Sequence, residues 1–256
     1  MQVFYRLEEF SPQKKPIILT IGNFDGMHRG HLTVLQRTRQ LAQNNAQTVL
    51  ITFSNHPSEV LRPSQPAFLL CSLPHKLQLL EENKIDAVII LPFTRYLAEH
   101  SAASFVERLR QFIPFSHLVL GHDATLGRDR QGKPSVMKDL GEVWGFDVLY
   151  LDEYRYEGLP VSSTRIRQLL QEGNLEKVSE LLGRPYSIFL TPMLGKGVLK
   201  FEVKGLCLPP YGTYSVQIKT ELGQFQGTAH LREGFMEVEL FGEDDLLYEL
   251  PIEVIF

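Results

Sequence analysis

A chain of 256 residues is long enough for one large domain or two modest ones, and 43% apolar with 22% charged residues is typical of a globular protein. The formal net charge of -4 argues against a general nucleic-acid-binding surface, so an anionic ligand has to be held by local donors. Cys71 and Cys207 are predicted to be reduced thiols, and the longest apolar run, 87–92, is too short to span a membrane. We therefore expect a cytoplasmic protein with no membrane anchor and no nucleic-acid partner.

The first 150 residues alternate between short apolar runs and stretches with helical periodicity. The apolar runs predict five strands, at 17–21, 48–53, 86–91, 117–120 and 147–151. The periodic stretches predict helices between them, at 31–42, 72–82 and 101–113. Strands separated by helices form βαβ units, so we expect a Rossmann-like α/β domain with a mostly parallel sheet.

The pattern changes in the last third of the chain. Residues 162–182 have helical spacing, with a break at Gly173 and Asn174. Beyond Tyr186 only short alternating runs follow, and these predict strands at 214–219, 225–229, 236–241 and 248–255, with a hairpin connection at 221–224. The sequence thus predicts two domains, 1–185 and 186–256, of which the second is a small antiparallel β-barrel-like module.

Residues 22–31 connect the first predicted strand to the first long helix. Ligands of open parallel sheets bind at this edge, beyond the carboxyl ends of the strands. Gly22 and Gly26 permit a sharp turn, and Gly30 permits a close approach of the helix start, whose N–H groups attract an anion. His28 and His31 form a His-x-Gly-His motif, and their spacing lets both imidazoles donate hydrogen bonds to phosphate oxygens.

Plainer interpretations of the same residues stay open. The two histidines could instead bind a metal, although no third acidic or histidine ligand lies nearby in the sequence. Asp25 either caps the turn or contacts the ligand directly. The segment by itself therefore indicates phosphate handling without naming a substrate.

Several stretches, in the expected order, resemble the bacterial FAD synthetases, which are bifunctional riboflavin kinase/FMN adenylyltransferases. The motifs that carry the resemblance are residues 22–31, 53–57, 121–127, 161–167 and the link at 182–186. Together they span roughly residues 15–186. The resemblance implies that 1–185 is an FMN adenylyltransferase (nucleotidyltransferase) domain and that 186–256 is a riboflavin-kinase-like module.

The implied reaction is FAD synthesis. The phosphate of FMN attacks the α-phosphorus of ATP and pyrophosphate leaves, which requires alignment and charge neutralisation rather than a covalent nucleophile. Mg²⁺ is expected to bridge phosphate oxygens through water and substrate, so no protein metal site is predicted. ATP and FMN are thus the expected partners and FAD is the product, while a homo-oligomer is left open.

The resemblance also implies roles for individual residues. The catalytic residues are His28, His31 and Arg167. Predicted ATP-binding residues are Gly22, Phe24, Asp25, Gly30, Ser163 and Thr164, and predicted FMN-binding residues are Asn55, His56 and Asp123. Each group has a plainer alternative: a helix N-cap with a solvated arginine at 162–167, a structured turn before Pro57, and an ordinary surface loop at 121–134. In that loop Ala124 and Leu126 replace two aromatic residues of the family, which removes the rings expected to stack on the flavin.

The module after residue 186 departs furthest from the family. The kinase signature Gly-Phe-Pro-Thr-Ala-Asn is absent, and residues 194–202 stand where it is expected. Glu237 matches the kinase's glutamate base, with Tyr248 downstream, so we expect a degenerate riboflavin kinase. Three alternatives remain: a bifunctional enzyme that still phosphorylates riboflavin, a nucleotidyltransferase acting on pantetheine phosphate or nicotinate mononucleotide, and a non-catalytic flavin- or nucleotide-binding regulator.

Overall fold

The computed structural model describes residues 1–43, 45–193, 198–221, 223–241 and 251–256. Backbone contacts divide the chain into two compact units. Unit 1 contains Met1–Ala67 and Leu79–Pro160, and unit 2 contains Phe68–Gln78 and Val161–Phe256. The motif-based division into 1–185 and 186–256 stays a prediction, because these units group residues 68–78 and 161–185 with the β module.

Unit 1 is built on a six-stranded sheet in which every pair of neighbouring strands is parallel. The strand order is β1-β4-β3-β2-β5-β6. The strands are β1 (Gln2–Phe4), β2 (Ile17–Ile21), β3 (Gln47–Phe53), β4 (Ala87–Leu91), β5 (His117–Leu120) and β6 (Asp147–Tyr150). All of β2 and β4 is buried, as expected for strands covered on both faces. The predicted Rossmann-like parallel sheet is confirmed.

Helices flank this sheet. They are α1 (Arg29–Ala42), α2 (Pro57–Leu61), α3 (Leu73–Glu82), α4 (Arg95–Ala98), α5 (Ala102–Phe112) and α6 (Pro134–Trp144). The boundary between the units falls within α3. The predicted helices at 31–42, 72–82 and 101–113 are confirmed, whereas α2, α4 and α6 were not predicted. Two short strands, β7 (Arg155–Tyr156) and β8 (Leu159–Pro160), form a hairpin at the end of unit 1.

Unit 2 contains a six-stranded antiparallel sheet and two helices. The helices are α7 (Ser163–Gln171) and α8 (Leu175–Leu182), which Gly173 and the capping Asn174 separate as predicted. The strands are β9 (Ser187–Leu190), β10 (Leu199–Glu202), β11 (Gly212–Thr220), β12 (Gly223–Arg232), β13 (Phe235–Leu240) and β14 (Ile252–Ile255). Their order is β10-β13-β12-β11-β14-β9, which confirms the antiparallel β module. The first part of the strand predicted at 248–255, with Tyr248, and Leu222 of the hairpin lie outside the described residues.

Residues 68–78 belong to unit 2 although they precede the rest of it by more than eighty positions. Leu69 donates its N–H to Gly205 O (2.8 Å) and accepts at its carbonyl from the N–H of Cys207 (2.7 Å). The Tyr186 hydroxyl donates to Cys207 O (2.6 Å), and Cys71 and Cys207 are buried thiols. Backbone hydrogen bonds therefore join the 68–78 segment to the C-terminal module. Within the described part of the chain, no helix has the length and apolarity that crossing a membrane requires.

Candidate active site

The segment after β2 is a tight, buried turn at the carboxyl edge of the parallel sheet. Gly22 donates its N–H to Ile51 O (3.1 Å), and the Thr52 hydroxyl donates to Asn23 O (3.1 Å). Phe24 has a φ of 50° although it is not glycine, a conformation that costs energy and needs surrounding structure to hold it. A Cβ on Gly22 would lie 3.0 Å from the Phe24 ring, so this glycine makes room for the aromatic side chain.

His28 caps the N-terminus of α1 with its own imidazole. Its Nδ1 accepts a hydrogen bond from the backbone N–H of His31 at 3.3 Å. Since Nδ1 accepts, a neutral His28 carries its proton on Nε2, which makes Nε2 the donor nitrogen of this ring. The ring of His31 stacks on that of His28, with centroids 3.7 Å apart and planes inclined by 14°. The structure thus brings the two histidines together at a helix N-terminus with one defined donor atom.

The structure gives a steric reason for glycine at position 30, which the sequence did not reveal. A Cβ at this position would lie 3.2 Å from both Cε1 and Nδ1 of His28 and 3.6 Å from Cβ of Tyr154. Contacts of 3.2 Å are tighter than carbon atoms normally accept, so a side chain here would displace the imidazole. The glycine in His-x-Gly-His therefore leaves the space that the capping histidine occupies.

Arg29 is a site residue that the sequence reasoning missed. It is the first residue of α1, and its guanidinium carbon lies 5.9 Å from the centroid of the Tyr156 ring. Its Nε is buried and has no hydrogen-bond partner within the described residues. A cation at the positive end of a helix is unfavourable by itself, whereas a bound anion stabilises both. A basic residue in the first turn of a helix was the signal that could have identified it.

Asn55 and His56 both have well-defined structural partners. The side-chain amide of Asn55 donates to Phe93 O (3.1 Å), and its oxygen accepts from the N–H of Phe93 (2.8 Å). His56 caps α2 by accepting from the N–H of Ser58 at Nδ1 (3.1 Å), and Glu59 accepts from the N–H of His56 (2.8 Å). These bonds realise the structured turn before Pro57, while binding of FMN by Asn55 and His56 stays a prediction.

The glycine-rich loop after β5 packs against α5 and the buried core of its own unit. A Cβ on Gly127 would lie 2.3 Å from the backbone nitrogen of Ala102 in α5. Ala124 and Leu126 pack against the buried core of the unit. The Asp123 carboxylate is 73% exposed and lies 3.8 Å from Nδ1 of His122. An FMN contact by Asp123 stays a prediction.

The other predicted phosphate-binding residues belong to unit 2. Ser162, not Ser163, caps α7 by accepting from the N–H of Arg165 (3.2 Å), so Ser163 and Thr164 occupy the first helical turn. Arg167 donates from Nε to the carbonyl of Phe68 (2.6 Å). Of the plainer alternative, an N-cap with a solvated arginine, the cap is found at Ser162, whereas Arg167 is not merely solvated, since this bond ties its guanidinium to the 68–78 segment. Its predicted catalytic role stays a prediction, as do the ATP contacts predicted for Gly22, Phe24, the buried Asp25, Gly30, Ser163 and Thr164.

Glu237, the candidate kinase base, forms an ion pair in unit 2. Its carboxylate lies 3.3 Å from Nζ of Lys200, which is the residue directly opposite on the neighbouring strand. The same ammonium lies 4.9 Å from the Phe235 ring centroid. Residues 194–197, part of the stretch that replaces the kinase signature, lie outside the described residues. Within the described ranges, no three histidine, cysteine, aspartate or glutamate side chains form a group that could hold a metal ion.

The parallel α/β sheet, with paired histidines at the start of the helix that follows β2, is the arrangement of a nucleotidyltransferase-type domain. A family model described as FAD synthetase matches residues 10–165. The chain is 31% identical to a bifunctional riboflavin kinase/FMN adenylyltransferase of Haemophilus influenzae, over 100% of this chain and 89% of the relative. It is 32% identical to the enzyme of the same description from Escherichia coli K12, over 78% of this chain and 67% of the relative. The chain belongs to the FAD synthetase family.

A solved structure shows the same fold. The crystal structure described as a macrolide-efflux protein from Streptococcus pneumoniae superposes with a TM-score of 0.83 at 21% sequence identity. The match covers 99% of this chain and 88% of that one. At this identity the likeness concerns the fold alone.

Proposed function

We propose that this chain synthesises FAD by transferring AMP from ATP to FMN, with release of pyrophosphate. The observation that carries the proposal is the His28–His31 pair: it lies at a helix N-terminus, within the residues that match the FAD synthetase family. The printed names of the relatives, which include FMN adenylyltransferase, support the same reaction.

In the proposed step an oxygen of the FMN phosphate forms a bond to the α-phosphorus of ATP. The bond from that phosphorus to the bridging oxygen breaks, and the electron pair leaves with pyrophosphate. Negative charge builds up on the phosphate oxygens as this happens. Nε2–H of His28, the cation of Arg29 and the N–H groups that open α1 are placed to stabilise that charge.

Mg²⁺ belongs to this proposal as a companion of ATP that neutralises phosphate charge. The 22–31 motif fits an ion that is held mainly by ATP. Its one carboxylate, Asp25, is only 2% exposed, and its imidazoles are suited to phosphate oxygens rather than to Mg²⁺. A cytoplasmic location and self-association stay predictions.

The proposal is tested by incubating the protein with ATP, Mg²⁺ and FMN and separating the flavins. We expect FAD, and we expect His28→Ala to lower kcat by about 10²- to 10³-fold, the usual effect of losing one donor to transition-state charge. The KM for FMN should change little. The control is His100→Ala, because the side chain of His100 lies outside the 22–31 motif and bonds locally, from Nδ1 to Tyr96 O. No FAD from folded wild-type protein would overturn the proposal and favour a non-catalytic binding protein.

A second function, phosphorylation of riboflavin, is favoured by one observation: the match to the Haemophilus influenzae relative covers the whole of this chain, including the β module. The ion pair between Lys200 and Glu237 argues against it, because the ammonium lies where a substrate hydroxyl would have to approach the carboxylate. We infer a degenerate kinase module. Riboflavin in place of FMN should therefore yield neither FMN nor FAD, and its conversion would establish the bifunctional enzyme.

A further inference from the structure

Unit 1 contains a second concave surface, at the edge of the sheet opposite to His28. It is an open cavity of about 630 Å³, within the range of small-molecule sites. It lies at the amino ends of β2, β3 and β4, because its lining includes Lys15 before β2, Gln47 at the start of β3 and Asp86 before β4. The cavity is therefore separate from the phosphate-binding turn that follows β2.

The lining is strongly basic. Lys15, Arg39 and Lys84 all line the cavity, and none forms an ion pair with another described residue. The lining has one carboxylate, Asp86, whose Oδ2 accepts from both the N–H and the hydroxyl of Thr48, each at 2.8 Å. Three cations against one carboxylate leave two positive charges on a protein whose net charge is -4. Such a local excess is expected to attract a dianion.

Gln47 supplies a second, independent observation. The residue is only 2% exposed and lines the cavity, yet neither the nitrogen nor the oxygen of its side-chain amide has a partner within the described residues. A buried amide without hydrogen bonds costs free energy that a ligand can recover. A rotation of this buried side chain towards the cavity would offer a donor beside an acceptor, which matches a group that offers an acceptor beside a donor, such as a nucleobase edge.

We propose that this cavity binds a mononucleotide, with the phosphate held by Lys15, Arg39 and Lys84 and the base recognised by Gln47. The cations rather than a helix dipole attract the phosphate, since Arg39 lies in the last turn of α1, where the backbone end is negative. The site is distinct from the FAD-forming site, so its loss leaves catalysis at His28 intact.

The test uses AMP as the probe and observes the cavity directly by two-dimensional ¹H–¹⁵N NMR of the full chain. The side-chain amide signals of Gln47 are assigned by their loss in Gln47→Leu. In wild-type protein these signals should shift saturably with AMP. In the double variant Arg39→Gln/Lys84→Gln the apparent Kd should rise at least about tenfold, as expected for lost charge-assisted hydrogen bonds. FAD formation by the variant serves as the check of folding.

Arg37→Gln is the matched control, because Arg37 lies on the same helix but does not line the cavity. It should bind AMP as the wild type does. Signals of Gln47 that do not move with AMP, or a double variant that binds AMP as tightly as the wild type, would overturn the proposal. If inorganic phosphate alone shifts the Gln47 signals with the same affinity as AMP, the cavity binds the phosphate and does not recognise the base, and the assignment to a mononucleotide is wrong.

Discussion

His75 in α3 is buried in unit 2 and should make the stability of that unit depend on pH. Its side chain is fully buried, and its Nε2 lies 3.6 Å from the Glu253 carboxylate and 3.5 Å from the Ser187 hydroxyl. The pKa of His75 is lowered from 6.5 to about 4, chiefly by burial and also by the nearby cation of Arg184, while the carboxylate of Glu253 opposes both. The folded unit therefore holds His75 neutral under conditions where a solvated histidine takes up a proton.

The sign and size of the effect follow from proton linkage. The folded pKa lies below the unfolded one, so the unfolded state binds more protons between pH 6.5 and about 4. Stability is then fully present above pH 6.5 and is lost as the pH falls towards 4. At about 1.4 kcal/mol per pH unit, the loss is about 2 kcal/mol at pH 5 and about 3 kcal/mol at pH 4.

Amide hydrogen exchange read by mass spectrometry measures the pH-dependent stability of unit 2 directly, since peptides from β9 and β14 belong to that unit. Opening free energies are compared at pH 8 and pH 5 for the wild type and His75→Gln. The variant should lose about 2 kcal/mol of the pH dependence, because glutamine does not titrate. His100→Gln, which removes a partly buried histidine of unit 1, should keep it. An unchanged pH dependence in His75→Gln would refute the reasoning.

Two further predictions concern glycines. Gly30→Ala should lower kcat for FAD formation about tenfold or more at nearly unchanged thermal stability, since its Cβ would lie 3.2 Å from the His28 ring. Wild-type turnover in this variant would show that the added methyl group is accommodated without moving the histidine. Gly127→Ala should destabilise unit 1 by more than about 2 kcal/mol, because φ is 77° and the Cβ would lie 2.3 Å from Ala102 N. Gly145→Ala, at φ 70° with nothing within 4 Å, should cost only about 1 kcal/mol; equal losses in urea unfolding, followed by the single tryptophan, would contradict the steric argument.

The parallel sheet was predictable because its central strands are short apolar runs separated by helical periodicity. The edge strand β1 was missed because three residues with mixed exposure give no such run. Helix α6 was missed although Met137 and Gly141 face inward at helical spacing and Pro134 stands at its first turn. The polar, glycine-rich residues before Pro134 give no periodicity that would mark where this helix begins.

Within the candidate site, spacing alone predicted that His28 and His31 lie side by side. It could not give the tautomer of His28, which depends on a backbone N–H pointing at Nδ1. Nor could it find the partners of Asn55 and Arg167, since these are backbone groups 38 and 99 residues away in the chain. Local periodicity contains no information on such contacts, because they arise only when distant segments pack.

The discontinuity of unit 2 bears on how this chain can change over evolution. Residues 68–78 take their backbone partners from the region around Cys207, so a chain cut after residue 160 would leave Leu70 and Cys71 with their buried surfaces exposed to water. Deleting the β module therefore damages a segment encoded far upstream of it. If the activity of that module were no longer needed, the fold of residues 68–78 would still require its strands. Substitutions that remove the activity would then destabilise the protein less than a truncation.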